Sequence, residues 1–278
     1  LELKAAIEAN PALAARIRTK YRMKNTTGYG LNAFLDHARP VDVFSHLLIG
    51  SEGTLAFIAE AVLHTVPDLP YKCTALLLFR SLDAACAAIT VLKSAGAKAL
   101  ELMDRASLRA VERQPGVPPE LLDLPPTAAG LLVEFQAETP DALADYRAVA
   151  EPLAERLDGL MYPAGFTDDP RQIGKLWRVR DGLYPSVGSV RRSGTTVIIE
   201  DVAFPIACLG DAVRDLQELF ARHGYPEGII FGHAGDGNLH FVITQSFNDA
   251  VAIDQYARFM DDVVELVVGK YDGALKAE

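Results

Sequence analysis

The sequence predicts an α+β protein, an antiparallel or mixed sheet with helices on one face. Three observations predict it. From residue 72 onward, strand-like apolar runs alternate with capped helical patterns in the order β-α-β(α)β-α-β, then α-β-α-β-β-α. Close to the C-terminal end, Asp236-Gly237 separates two strand-like runs, 228–231 and 241–244, which is a strong hairpin signal. No GxGxxG follows a strand and no GxxxxGK[ST] occurs, so a dinucleotide or P-loop architecture is not supported.

The elements follow in chain order. Residues 1–18 hold two helical patterns split by Pro11. Residues 47–58 read as a strand or buried turn, a Gly-Ser-Glu-Gly-Thr loop and a further apolar segment, and Pro67 and Pro70 read as a linker. The run 74–79 is a continuous apolar strand, and 82–95 is a helix ended by Gly96. A short strand at 97–103 leads to Asp104, a cap for a helix over 107–113. Five prolines (Pro115, Pro118, Pro119, Pro125 and Pro126) make 114–127 a surface loop. A strand at 131–136 precedes a helix over 140–157 that Thr139 starts, and 159–166 is strand-like. Pro170 opens a helix running towards Tyr184. A strand at 195–204, a helix at 205–222, the hairpin and a last helix at 249–270 complete the order, which resembles two ferredoxin-like halves.

Composition narrows the function. The chain has 278 residues, 50% hydrophobic and 23% charged, enough for one large or two ordinary domains. With 27 basic against 37 acidic residues, and no Lys/Arg-rich stripe, nucleic acid is disfavoured as a partner. No apolar run approaches the ~18 residues of a membrane span, and no signal peptide is legible. Cys73, Cys86 and Cys208 form no CxxC pair and read as small buried hydrophobes in a reducing, cytoplasmic compartment. The absence of an initiator Met, and an end directly after Tyr271-Asp272-Gly273, predict a segment of a longer protein.

Four constellations can carry chemistry. A two-residue Asp236-Gly237 loop would set His233 opposite His240, with Cβ atoms about 4.5–5.5 Å apart. Two imidazoles so placed can ligate one divalent metal, or they can be hydrogen-bonded histidines beside a tight turn. The loop Gly50-Ser51-Glu52-Gly53-Thr54-Leu55 allows backbone N–H groups to approach a phosphate, or is an ordinary connection; Lys24, Thr27, Gly28 and Tyr29 form a similar stretch. Of Arg178 and Arg180, two apart on one helix, one can point into a cleft and fork onto a carboxylate while the other stays in solvent. Glu200-Asp201 ends an apolar strand, where two carboxylates are expensive to bury unpaired. They can meet a metal, the arginines or a helix N-terminus, or sit in solvent. Glu278 is a carboxylate that spacing alone cannot link to the histidines. A metal-dependent hydrolase and a non-catalytic α+β binding module are the rival readings of these residues.

Taken together, 24–29, 47–58, 177–183, 200–205 and 232–240 resemble, in that order, the flavin-linked D-2-hydroxyacid dehydrogenases of the vanillyl-alcohol-oxidase type. These include D-lactate dehydrogenases, the glycolate oxidase flavin subunit and D-2-hydroxyglutarate dehydrogenase. The run 176–205 looks most like large bacterial members that carry a C-terminal iron–sulfur domain. The resemblance implies that 1–67 is the tail of an FAD-binding domain and 68–278 a substrate-binding cap domain, truncated at its end. It implies that Lys24, Thr27, Gly28, Tyr29, residues 50–55 and Asn238 contact FAD, and that Arg180 binds the substrate carboxylate. It further implies that His233, His240 and Glu278 hold a divalent metal, zinc or manganese, near the substrate hydroxyl. A small 2-hydroxyacid, and an electron acceptor (an iron–sulfur domain or a quinone or cytochrome chain, with membrane association through it), are the implied partners. A homodimer through apolar surface in 1–66 is a further expectation. Where some relatives carry a lysine for a second substrate carboxylate, this chain has Ile199-Glu200-Asp201, so that contact does not support a dicarboxylate. The segment alone is expected to be inactive, because the front of the FAD domain and a following His-Gly lie outside it.

Overall fold

The computed structural model describes residues 2–24 and 28–276. Four helices come first: α1 (Glu2–Glu8), α2 (Pro11–Lys20), α3 (Ala33–Asp36) and α4 (Pro40–Leu47). The first half of the sheet region holds β1 (Tyr71–Phe79), α5 (Leu82–Ser94), β2 (Ala99–Met103), α6 (Arg105–Val111), β3 (Ala129–Ala137) and α7 (Pro140–Ala154). Helices α8 (Pro170–Asp181) and α9 (Leu183–Val190) cross to the second half. That half holds β4 (Thr196–Ala203), α10 (Leu209–Arg222), β5 (Ile229–His233), β6 (Asn238–Gln245), α11 (Ala250–Val264) and β7 (Ala274–Lys276). A turn of π-helix, Glu265–Lys270, extends α11. Side-chain caps start six of these helices: Asn10, Ser81, Asp104, Thr139, Asp169 and Asp249 each accept from a backbone N–H of the first turn, and Asp104 and Thr139 are the two expected.

The strands form one seven-stranded sheet in the order β1-β3-β2-β5-β6-β4-β7, and each pairing is antiparallel. The order resolves into two halves of like connectivity. In the second, β7-β4-β6-β5 is the complete βαββαβ arrangement. In the first, β1-β3-β2 has the same order, and the fourth position outside β1 is taken by the segment 159–167. That segment is not the strand its apolar pattern predicts. It touches β1 through two isolated bridges, Thr74↔Thr167 and Phe79↔Leu160. Gly159 and Gly165, both left-handed (φ +75° and +59°), and Pro163 between them interrupt any ladder. The segment nevertheless covers an edge that would otherwise present open backbone groups.

The two halves join through β2 and β5, by the pairs Glu101↔His233, Leu102↔Gly232 and Met103↔Phe231. Alternation then sorts side chains to two faces. Leu77, Phe79, Leu131, Phe135, Ile230 and Phe241 pack under the crossover helices α5, α7, α10 and α11 in the larger core. Leu78, Leu132, Met103, Phe231 and Val242 face the other way, with Val179 of α8 and Leu183 and Val187 of α9. The four long crossover helices therefore share one face as expected, and the second face is also roofed in part, by α6, α8 and α9.

Before the sheet, the stretch read as a strand or a turn is a turn: α4 ends at Leu47, turns follow at 48–50, and the expected loop lies at 50–54. Pro40 opens the helix, and Gly50, Glu52 and Gly53 have positive φ, which no strand accommodates. Residues 59–70 have no regular structure. Val62, Leu63 and Val66 there, and Phe57 just before, are largely exposed. Among the described residues no helix is long and apolar enough to cross a membrane. Cys73 is buried and Cys86 and Cys208 half-buried, all as free thiols, and burial pushes the first two up to about 11 and about 12.

The N-terminal helices are tied to the far end of the chain. Lys20 Nζ meets the Asp272 carboxylate at 2.8 Å and donates to the Gly273 carbonyl at 2.7 Å, while Arg16 reaches Asp272 at 2.6 Å. The Lys20 hydrogen bond holds the Asp272 carboxyl below its ordinary value; burial opposes it, and the Arg16 hydrogen bond and both charges add to the lowering. A carboxylate depressed in the folded state contributes stability above its unfolded pKa of about 3.9 and loses it as pH falls through the folded value. Asp272→Asn is expected to cost less than about 1 kcal/mol near neutral pH, because the cluster is half exposed. The gap in denaturant midpoint should narrow as pH is lowered below about 3.9 and through the folded value; a gap independent of pH over that range would rule out the ion pair as its origin.

Candidate active site

A cleft of about 840 Å³ opens over the seam between the halves. Its lining includes Glu101 of β2, Phe231 and His233 of β5, His240 of β6 and Ile199 of β4, with Trp177, Arg180 and Asp181 of α8 and Tyr184 of α9. The helical residues fall at the three-and-four spacing that places side chains on one stripe. Arg180 thus turns into the cleft, whereas Arg178 is exposed and lines no part of it.

The hairpin differs from the two-residue loop that Asp236-Gly237 suggests. Ala234–Asp236 forms a 3-10 turn, closed by a bond from Gly237 N to the Ala234 carbonyl at 3.0 Å. Only Gly237 of the two central residues is left-handed, at φ +70°. His240 consequently lies opposite Phe231, and His233 pairs with Glu101 on β2. Gly232, at φ +142°, bends the strand between them. The two imidazoles still meet, edge to face, with ring centroids 5.4 Å apart. The register expectation was wrong, and the proximity it predicted arises by another route.

Each imidazole is held by a carboxylate. His233 Nδ1 lies 2.6 Å from Glu101 Oε1, and the other oxygen of Glu101 accepts from Arg180 Nε at 2.9 Å. His240 Nδ1 bonds Asp201 Oδ1. Burial alone would push the Glu101 carboxyl up, but the hydrogen bond and charge of His233, then those of Arg180, outweigh it and hold the group below its ordinary range. Asp201 behaves alike: burial raises it, while His240 and then Lys276 lower it further. Ionised carboxylates only accept, so both histidines donate from Nδ1. Phe231 backs the Arg180 guanidinium, its ring centroid 5.1 Å away.

Glu200 and Asp201 part company. Asp201 faces the cleft side with His240, and Glu200 takes the opposite face, where it accepts from the Tyr256 hydroxyl at 3.3 Å. Asn238 is fully buried, its amide shared between Asp201 and Lys276, and it does not line the cleft. It belongs to the hydrogen-bond network beneath His240.

The other expected cofactor contacts form a separate group. Lys24, Gly28 and Tyr29 are exposed, and the Tyr29 hydroxyl lies 3.0 Å from Thr54 Oγ1, which donates to the Ser51 carbonyl at 2.6 Å. Gly28, Gly50, Glu52 and Gly53 all have positive φ. The two loops therefore meet each other, but none of their described residues lines the cleft. Thr27 and Glu278 lie outside the described residues.

Sequence reasoning missed Glu101 and Glu134. Glu134 is buried and accepts from Thr74 Oγ1 and Trp177 Nε1, each at 2.8 Å, so it positions an aromatic wall of the cleft. The available signal was a single carboxylate inside an apolar strand, as in Leu100-Glu101-Leu102 and Val133-Glu134-Phe135.

Fold and cleft define a duplicated α+β domain with a polar site at the seam of its halves. The chain belongs to the FAD linked oxidases, C-terminal domain, whose family model matches residues 69–278. It is 25% identical over 244 residues to glycolate oxidase subunit GlcD of Bacillus subtilis (strain 168), covering 84% of this chain and 49% of that protein. It is 29% identical over 269 residues to D-2-hydroxyglutarate dehydrogenase of Stutzerimonas stutzeri (strain A1501), covering 92% of this chain and 51% of that protein. The chain thus spans about half the length of these relatives. A solved alkyldihydroxyacetonephosphate synthase shares the fold at a TM-score of 0.57 and 18% identity, covering 83% of this chain and 45% of that one.

The turn that positions His240 depends on one glycine. A Cβ at Gly237 would lie 2.1 Å from the Phe204 carbonyl oxygen, on a backbone already at φ +70°. Gly237→Ala is expected to destabilise the protein by about 2–4 kcal/mol, combining strain with displacement of the β4 end. Chemical denaturation reads this directly, and a loss under about 0.5 kcal/mol would show that the turn yields freely.

Proposed function

We propose that this chain is the C-terminal part of a flavoprotein that oxidises a D-2-hydroxyacid to the 2-oxoacid. The observation that carries the reading is the convergence of Arg180, His233 and His240 on one cleft, each fixed by a buried carboxylate or through one. The family, and relatives named for glycolate, D-lactate and D-2-hydroxyglutarate, support it. In the reaction the substrate loses a hydride from C2 and a proton from its hydroxyl. FAD, when bound, supplies the two-electron acceptor for that hydride. Residues 1–67 then form the tail of the FAD-binding domain. The left-handed loop 50–55 and its partner at 28–29 present backbone N–H groups suited to the cofactor's phosphates.

Within the cleft Arg180 binds the substrate carboxylate. Its Nε–H is spent on Glu101, and the four Nη hydrogens are not used by that bond, which leaves a fork of the right shape for a carboxylate. Glu101 and Phe231 hold the guanidinium in place, so the acid is oriented before it reacts. His233 and His240 each give Nδ1 to a buried carboxylate, as metal-binding histidines commonly do. The donor set fits two ligands of a zinc or manganese ion, with Glu278 the third by resemblance. Among the described residues no group of three or more His, Cys, Asp or Glu side chains gathers. Such an ion supplies Lewis-acid polarisation of the hydroxyl oxygen. Electrons would pass on to an iron–sulfur domain or a quinone or cytochrome chain.

In the full-length, flavin-loaded protein, Arg180→Ala is expected to lower kcat/KM for the 2-hydroxyacid by about 10²–10³-fold, since both orientation and charge stabilisation are lost. The flavin absorbance spectrum should be unchanged. Near-normal turnover of a 2-hydroxyacid by that variant would overturn the assignment.

A further inference from the structure

The proposed oxidation leaves open what the C2 substituent of the substrate is, and the make-up of the cleft speaks to it. Ile199 stands two residues before Asp201 on β4, on the same face of the sheet, and is 37% exposed. Tyr184, one turn beyond Arg180 along the α8–α9 stripe, is 45% exposed. Trp177, one turn before Arg180, is oriented by Glu134. All three line the same cleft as Arg180. Large apolar side chains left open inside a concave site gain by being covered, and they are what a ligand's apolar part packs against.

The charges of the cleft point the same way. Its cations are Lys93, Lys98 and Arg180, and its carboxylates are Glu101, Asp181 and Asp236. Lys93 is tied to the Gly235 carbonyl, and Arg180 is shared with Glu101. Three cations stand against three carboxylates, so the lining carries no net positive charge to draw a second substrate carboxylate. An anionic substituent set against Ile199 and Tyr184 would also lose water without a compensating partner.

We propose that the substrate is a 2-hydroxy monocarboxylic acid with an aliphatic or aromatic substituent at C2, packed on Ile199, Tyr184 and Trp177. This rests on the oxidase reading above and specifies its substrate class.

The test uses the full-length, flavin-loaded protein and an artificial dye acceptor, with D-2-hydroxyisocaproate, D-phenyllactate, D-lactate and D-2-hydroxyglutarate as substrates. The expected kcat/KM for D-2-hydroxyisocaproate exceeds that for D-2-hydroxyglutarate by about tenfold or more. Ile199→Lys is expected to bring that ratio to about one or below. Should that variant not fold, Tyr184→Ala decides: it should reduce turnover of D-2-hydroxyisocaproate about tenfold more than that of D-lactate, whose methyl group is too short to need the ring. D-2-hydroxyglutarate matching or exceeding the apolar acids in the wild type overturns the inference while leaving the oxidase reading intact. Equal losses on both substrates in Tyr184→Ala overturn it as well. Turnover of none of the four acids removes the oxidase reading, and this inference with it.

Discussion

The Glu101 carboxylate is the interaction on which the site depends. It comes from the first half of the sheet and binds a histidine of the second half and an arginine of the helix that connects them. Buried as it is, it persists as an anion only because two donors compensate its lost hydration. The pairing of β2 with β5 brings it there, since Glu101 lies directly opposite His233. The backbone register and the side-chain network therefore enforce one another: a slip of one residue along this seam would turn the carboxylate to the other face and leave both partners unanswered.

The same logic runs across the rest of that face. The face under the crossover helices is almost wholly apolar, while the opposite one carries Glu101, Glu134, Asp201 and His240, all buried. Each is matched: Glu134 by Thr74 and Trp177, Asp201 by His240 and Lys276. Buried polar groups are tolerable only when satisfied in this way, and their geometry is then fixed by directional bonds rather than by packing alone. Apolar packing on one side supplies the bulk of the stability, and the polar side holds the cleft groups in place.

Much of this was legible in the sequence. Helix starts at Asp104 and Thr139 could be read because a short polar side chain before an apolar pattern acts locally. The two-half order followed from the alternation of elements. The meeting of His233 and His240 was anticipated, but by the wrong register, because Asp236 does not take the left-handed conformation that a two-residue turn needs and Gly232 bends the strand instead. The role of Glu101 was out of reach for a different reason. It follows from a contact 132 residues away in sequence, and no local pattern reports a pairing between the inner strands of two halves. Residues 159–166 show the converse, an apolar pattern that reads as a strand and is reduced to two bridges by its glycines and a proline.

The mirrored arrangement of the halves has a consequence for how such a domain can be inherited. The halves follow the same connectivity, the second with all four strands, yet neither contains the cleft, because its groups are divided among β2, β5, β6 and the linking helix α8. A recombination that exchanged one half for a homologous half would preserve strand order and most of the core. It would also sever the history shared by Glu101, Arg180 and His233, and these three would have to be compatible anew. A change at any one of the residues that face each other across the seam therefore has to be met by the other half.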